Sequence, residues 1–395
     1  MEKKPKILCV TPEVDAPFII NILQPLEILK ARGEAVFTVK KEKDALIHDA
    51  MRHDIILFFR NSSPARLKLL HFSKLAGKLV IYSVDDNFFE LASSEKGPMD
   101  ALLLDAHSRY MQKSDIVLVY SDPMVEQASR LNLNVIKMLP GGIDFSRFGG
   151  IGRRRDKKDK IRIIYATSRF GNDILSKQFL PALKKILTEY KGRVEMDLWG
   201  FRPVELEGIP GVGYAQKMDY LTYIKRLYAE DFDIGLAPLQ DDLFHRSKTN
   251  TKLRDYGACG IAGIYSNVDV YSDCVSDGKT GLLVDNTDDA WYQAMKKLID
   301  DETLRESIKK NAHQYVRTNY DMKATADMFY DIFSKAADDF NREAKKLPTN
   351  IRLISGFLDI SMIFRVRLKT NLKALEHSFR KYVRDPLRDL FRKRL

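Results

Sequence analysis

Cysteine is scarce in this chain: Cys9, Cys259 and Cys274 are the three among 395 residues. They are too few and too scattered for a disulfide framework or a zinc site, which points to a reducing compartment. No apolar run reaches the roughly 18 residues that read as a membrane span. The first strand-like stretch is not followed by G-x-G-x-x-G, so dinucleotide binding at that turn has no support. A D-x-D triplet is missing after the early strands. Asp231-Phe-Asp233 has those letters, but it enters an apolar run and reads as structural. Met1-Glu-Lys-Lys-Pro-Lys6 leads straight into the first strand, without the apolar stretch of a signal peptide. The expectation is a cytoplasmic protein with no cysteine zinc site and no dinucleotide site at that turn.

Positive charge is plentiful but uneven. The net charge is +11, and residues 341–395 hold 15 Lys and Arg against 5 Asp and Glu, so +10 of it lies in this tail. The body is near neutral, whereas a nucleic-acid enzyme would more often carry basic charge across its body. At 395 residues, with 45% hydrophobic and 10% aromatic content, the chain is globular and too long for one ordinary core.

Short apolar runs alternate with helical periodicity. Candidate strands lie at 6–11, 35–39, 53–59, 78–83, 114–120 and 134–139, with a helix over 20–32 that ends at Gly33. A second series has strands at 161–166, 194–200, 232–238 and 281–284, with helices over 175–190, 220–229 and 288–298. Alternation of this kind predicts β-α-β units and parallel sheets. Residues 149–160 contain Arg153-Arg154-Arg155 and Lys157-Lys158 and read as a solvated linker with no chemistry. The division expected is 1–148, linker 149–160, 161–340 and tail 341–395.

The densest motif runs Lys248-Thr-Asn-Thr-Lys252-Leu-Arg-Asp255-Tyr256-Gly-Ala258-Cys-Gly260, followed by the apolar Ile261–Tyr265. Lys248, Lys252 and Asp255 fall at i, i+4 and i+7, which on a helix is one face. Gly260 suits the left-handed residue that ends a helix, and the apolar run reads as a buried strand. Two cations and a carboxylate together suit a ligand with phosphates at one end and hydroxyls at the other. A solvated helix face has the same spacing.

This stretch resembles the donor-binding helix of GT-B glycosyltransferases of the family 4 (group 1) type, K-x-x-E-Y-x-A-x-G-x-P-V. Lys252, Asp255, Tyr256, Ala258 and Gly260 stand at the matching positions. Asp255 replaces the usual Glu, Ala262 stands where Pro is common, and Ser247 occupies the place of a second Glu eight residues earlier. Leu139-Pro-Gly-Gly-Ile-Asp-Phe-Ser-Arg-Phe148 resembles the segment that closes the first GT-B domain, and weaker likeness spreads over residues 1–335. The resemblance implies two Rossmann-like domains facing across a cleft, with a basic helical extension beyond them. It further implies a nucleotide-diphosphate-sugar donor, a glycan or lipid-linked acceptor, retention of configuration and no metal.

Thr167-Ser168-Arg169-Phe-Gly171 follows the first strand of the second series, where backbone N–H groups at a helix start attract an anion. The resemblance implies that Arg169, with Lys248 or Lys252, holds the diphosphate. Thr167, Ser168, Gly171, Asp255 and Tyr256 would complete donor binding, with Asp255 on the sugar or ribose hydroxyls. A surface arginine is the plainer reading of Arg169. Asp85-Asp86 ends a first-domain strand and could orient an acceptor hydroxyl or take its proton, or it could simply build a turn. His107 is a weaker base candidate, and His245 or Arg246 are weaker sugar contacts.

In the tail, Leu353–Val366 is largely apolar. Leu368, Leu372, Leu375, Phe379 and Val383 then recur at helical spacing among Arg367, Lys369, Lys373, Arg380, Lys381 and Arg384. An apolar stripe with a basic face fits a helix lying on an anionic membrane, which implies a peripheral location at the inner face of the cytoplasmic membrane. Packing on the body or on a partner helix explains the stripe too. A sugar-nucleotide epimerase or hydrolase, or a non-catalytic scaffold of a polysaccharide assembly complex, remains open beside the transferase.

Overall fold

A computed structural model describes residues 4–93, 101–154, 160–167 and 179–344. The first lobe holds six strands: β1 (Lys6–Thr11), β2 (Val36–Lys41), β3 (Ile55–Phe59), β4 (Leu79–Ser83), β5 (Ile116–Val119) and β6 (Val135–Lys137). They form one parallel sheet in the order β2-β1-β3-β4-β5-β6. The second lobe repeats the plan with β7 (Ile161–Ala166), β8 (Val194–Trp199), β9 (Val212–Ala215), β10 (Ile234–Ala237), β11 (Ala262–Ser266) and β12 (Leu282–Val284). Its order is β12-β11-β10-β7-β8-β9, again all parallel. Two Rossmann-like lobes in tandem are the GT-B architecture. Strand β9 was not expected, because Val-Gly-Tyr-Ala is too short and too glycine-broken to carry a periodic signal.

The core follows from strand alternation. Ile7, Cys9, Ile55, Leu57 and Ile81 point to one face of the first sheet, and Leu8, Val10, Ile56, Phe58, Val80 and Tyr82 to the other. Both faces are covered, as a parallel sheet requires. Helix α1 covers one of them. It begins as Ala16–Phe18, widens to a π turn over Ile19–Leu23 and continues as Gln24–Ala31.

Three further helices matter for the site: α2 (Phe88–Ser93), α3 (Ala101–Lys113) and α4 (Tyr220–Glu230). The motif helix is α5 (Thr251–Cys259), and it ends at Gly260 with φ 66°, in the left-handed conformation expected. Helix α6 (Met322–Ala344) leaves the second lobe and returns to the first. There Ala326, Phe329, Ile332 and Phe333 join Leu26 and Leu29 of α1 in one core, and Arg32 pairs with Asp327. The division at 161–340 therefore assigns to the second lobe a helix that packs on the first.

Arg153 of the linker is also less solvated than its charge implied. The Arg153 guanidinium donates to the carbonyl of Cys259 at 2.6 Å, pairs with Asp231 at 2.5 Å and lies 5.0 Å from the centre of the Tyr228 ring. It thus caps the carbonyl end of α5, where a cation is favoured. Asp231-Phe-Asp233 is structural: Asp231 ends α4 with φ 55°, and the Asp233 carboxylate accepts the Arg162 backbone N–H at 2.9 Å. Apart from residues 341–344 at the end of α6, the basic tail lies outside the described residues, and among those described no helix is long and apolar enough to cross a membrane.

Because the Phe329 ring is buried between α6 and α1, Phe329→Ala should cost about 3–5 kcal/mol of first-lobe stability, the scale for a large core truncation. Urea denaturation followed by circular dichroism measures it.

Candidate functional site

Parallel sheets collect loops at their carboxyl ends, and ligands of such folds bind there. A cavity of about 190 Å³ opens at that edge of the second sheet. Its walls include Ala166 and Thr167 after β7, Trp199 and Gly200 after β8, Lys217 after β9, Tyr220 and Tyr223 of α4, and Thr251, Lys252 and Asp255 of α5. Ala16 and Ile20 of α1 close it from the first lobe, so the cavity lies in the cleft between the lobes.

Lys252 and Asp255 share a helix face one turn apart. The Lys252 ammonium donates to the Tyr223 hydroxyl at 2.9 Å and sits 4.6 Å from that ring's centre. The Asp255 carboxylate is 1% exposed and accepts from the Tyr220 hydroxyl at 3.2 Å. Burial pulls the Lys252 pKa down, against the pull of Asp255. Burial raises that of Asp255, opposed by Lys252 and Arg254. Each charge is hydrogen-bonded to a tyrosine and influences the other through a poorly hydrated wall, where a ligand's charge is felt strongly.

Several expected contacts lie elsewhere. Helix α5 starts at Thr251, so Lys248 is not on its face; its ammonium lies 4.5 Å from the centre of the Phe244 ring, off the cavity wall. Tyr256 is fully buried and donates to the Leu236 carbonyl at 2.8 Å, which fastens α5 to β10 and does not face the cavity. Asp255 is more enclosed than an open cleft residue, because the two tyrosines of α4 pack over it. Thr167 stands on the wall, whereas Ser168, Arg169 and Gly171 lie outside the described residues. His245 and Arg246 are engaged by Asp242 and Asp241, at 2.8 and 2.6 Å. Ser247 bridges the lobes at another edge of the cleft: its hydroxyl accepts from the Asn87 amide at 3.1 Å, and its carbonyl accepts from the Ser121 hydroxyl at 2.7 Å.

Asp85 and Asp86 lie just beyond β4, at the carboxyl end of the first sheet. Both are buried and bound to one guanidinium, with Arg60 Nε 2.5 Å from Asp85 and Arg60 Nη2 2.8 Å from Asp86. Asp15 approaches the same arginine at 3.5 Å. Arg60 itself sits at φ 55°, an unusual conformation for a side chain of its kind. Burial raises the Asp85 pKa, opposed by Arg60. The pair is thus an ion-paired cluster and not two free carboxylates. Sequence reading missed Arg60, Asn21, Tyr220 and Tyr223, because none stands in a motif and tyrosines on a helix face look like core.

His107 of α3 is 0% exposed, with Nδ1 2.6 Å from the Tyr82 hydroxyl and Phe88 and Phe89 of α2 against its ring. It is structural. Burial pushes its pKa down to about 3.

Among the described residues, no group of three or more His, Cys, Asp and Glu side chains could hold a metal ion. Residues 252–315, which begin at Lys252, match the family model "Glycosyl transferases group 1". The fold is similar to that of HepE from Anabaena, solved with UDP and glucose, at 13% identity and a TM-score of 0.59 over 84% of this chain and 99% of that one. It is similar to sucrose-phosphate synthase from Thermosynechococcus elongatus at 13% identity and a TM-score of 0.58, over 84% and 99%. A putative UDP-N-acetylglucosamine 2-epimerase from Listeria monocytogenes is matched at 10% identity and a TM-score of 0.55, over 85% and 98%. No curated protein matches the sequence. The fold is GT-B, a two-lobed class of protein with its site in the cleft. Within that class, residues 252–315, which take in most of α5, are similar to the group 1 glycosyltransferases.

Between the folded pKa of about 3 and the ordinary histidine value near 6.5, the unfolded chain binds a proton at His107 that the folded chain does not. The linked stability is complete above that window and declines as pH falls through it. From pH 6.5 to 5 the wild type should lose about 2 kcal/mol more than His107→Asn, by urea denaturation at each pH.

Proposed function

We propose that this protein transfers a sugar from a nucleoside-diphosphate donor to a glycan or lipid-linked acceptor, with retention of configuration. The observation that carries the reading is the Lys252–Asp255 pair on the wall of the interlobe cavity, within the segment that matches the group 1 model. A cation and a carboxylate one helical turn apart complement a diphosphate and the neighbouring hydroxyls. The bond from the anomeric carbon to the diphosphate oxygen breaks, the acceptor oxygen bonds to that carbon, and the acceptor proton leaves with the diphosphate. Lys252 neutralises charge that grows on the leaving group, which is the largest kind of contribution one residue makes to such a step. Asp255 holds hydroxyls of the donor. Asp85 and Asp86, fixed by Arg60, meet the acceptor, and Arg169 joins Lys252 at the diphosphate.

Support for a nucleotide donor comes from the solved relatives, of which HepE was crystallised with UDP and glucose. The test begins with melting curves in UDP, GDP, ADP and CDP. One of them should raise the transition, and at about 100 times its Kd the gain in stability is about 2.7 kcal/mol. Lys252→Ala should then lower turnover of the matching nucleotide-sugar about 10²-fold or more, with an unchanged circular dichroism spectrum. Nucleotide-sugar consumed without any acceptor, or epimerised, would favour an epimerase or hydrolase. Nucleotide bound without turnover would favour a scaffold, and no stabilisation by any nucleotide would remove the reading altogether.

The membrane assignment rests on the basic stripe of residues 353–384. The full chain should float with phosphatidylglycerol vesicles, and the triple change Lys369→Glu, Lys373→Glu and Lys381→Glu should release it, at about 1 kcal/mol per basic residue before salt screening. Equal flotation of the two proteins removes the membrane from the proposal.

A further inference from the structure

The chain passes between the lobes at two places; the first runs against the π turn of α1, and the second lies beside the first. At the first crossing, the Gly141 N–H donates to Asn21 Oδ1 at 3.2 Å. A Cβ on Gly141 would stand 2.5 Å from the Ile20 carbonyl oxygen and 2.8 Å from Asn21 Oδ1, so this contact admits glycine alone. At the second, the Ile143 N–H donates to the Tyr320 carbonyl at 2.7 Å and the Met322 N–H to the Ile143 carbonyl at 3.1 Å. A Cβ on Gly142 would stand 2.6 Å from the Tyr320 carbonyl oxygen. The two crossings are thereby bound to one another as well as to α1.

Asn21 has a second partner. Its Nδ2 donates to Asp85 Oδ2 at 3.2 Å, and the residue is 3% exposed. Its neighbour Ile20 lines the cavity. One buried amide therefore touches an interlobe crossing with its oxygen and the carboxylate cluster of Arg60, Asp85 and Asp86 with its nitrogen. The π turn over Ile19–Leu23 accommodates one extra residue in the helical spiral, a device often found where function sets the geometry. A buried amide satisfied at both ends is rigid, since breaking either bond leaves a polar group without water.

We propose that Asn21 is a positioning residue that ties the first interlobe crossing to the Asp85 carboxylate, so that the state of the acceptor-side cluster and the angle between the lobes move together. The proposal rests on the glycosyl-transfer reading only for the meaning of that coupling; the coupling itself needs no substrate. A swap tests it. Asn21→Asp keeps an acceptor for the Gly141 N–H but sets a second carboxylate against Asp85. Combined with Asp85→Asn, it restores the pair with donor and acceptor exchanged.

Hydrogen–deuterium exchange of the full chain at pH 7 reads the amides of residues 138, 139, 141–143 and 320–323. Asn21→Asp should raise exchange there at least tenfold, although Asn21 makes no bond to residues 320–323. Adding Asp85→Asn should return it to within about threefold of wild type. In turnover, Asn21→Asp should lower kcat at least tenfold while donor KM stays within about threefold. Exchange unchanged in Asn21→Asp, or raised without rescue by the double change, overturns the proposal. If no nucleotide-sugar is turned over yet the exchange pattern follows the swap, the functional reading fails and the coupling stands.

Discussion

The rest of the structure depends on how two parallel sheets are joined. Each sheet presents its loops at its carboxyl edge, and a site between them exists only if those edges face each other. That orientation is held at the paired crossings, where Ile143 and Tyr320 exchange backbone bonds and Gly141 lies against the first helix with no room for a side chain. Helix α6 extends the same tie by carrying the end of the described chain back onto the first lobe. Ser247, with Asn87 and Ser121, fastens the lobes at another edge of the cleft. Backbone contacts of this kind leave little slack at the crossings.

Charge is handled in the same way on both sides of the cleft. Isolated buried ions are costly, and they persist only with close partners. On the second lobe Lys252 and Asp255 sit together under the hydroxyls of Tyr223 and Tyr220; on the first, Arg60 gathers Asp85, Asp86 and Asp15. The positions of these groups are thus set before any ligand arrives.

Much of the fold could be read from the chain alone. Parallel sheets advertise themselves through short, nearly continuous apolar strands, and helices through 3.6-residue periodicity, so ten of the twelve strand positions coincide with expected runs and an eleventh with the apolar stretch after Gly260. Gly260 ends its helix as expected because a left-handed residue without a Cβ is a local requirement. Lys252 and Asp255 share a face, as their spacing implies, because a helix repeats its neighbours every three or four residues. Lys248 was misplaced because helix starts depend on capping and on what precedes them. Tyr256 was misassigned because periodicity gives a face without saying whether that face meets a cavity or a strand.

What the chain by itself determined was therefore local: which stretches form strands and helices, that two α/β lobes follow one another, and where the basic charge collects. Only tertiary structure decided which charged groups find each other. Arg60 meets Asp85 and Asp86 across a sheet edge, Asn21 meets Gly141 across 120 residues, and Tyr223 meets Lys252 from a different helix. Such pairings leave no periodic trace, because the residues belong to separate elements and approach only when the sheets have packed.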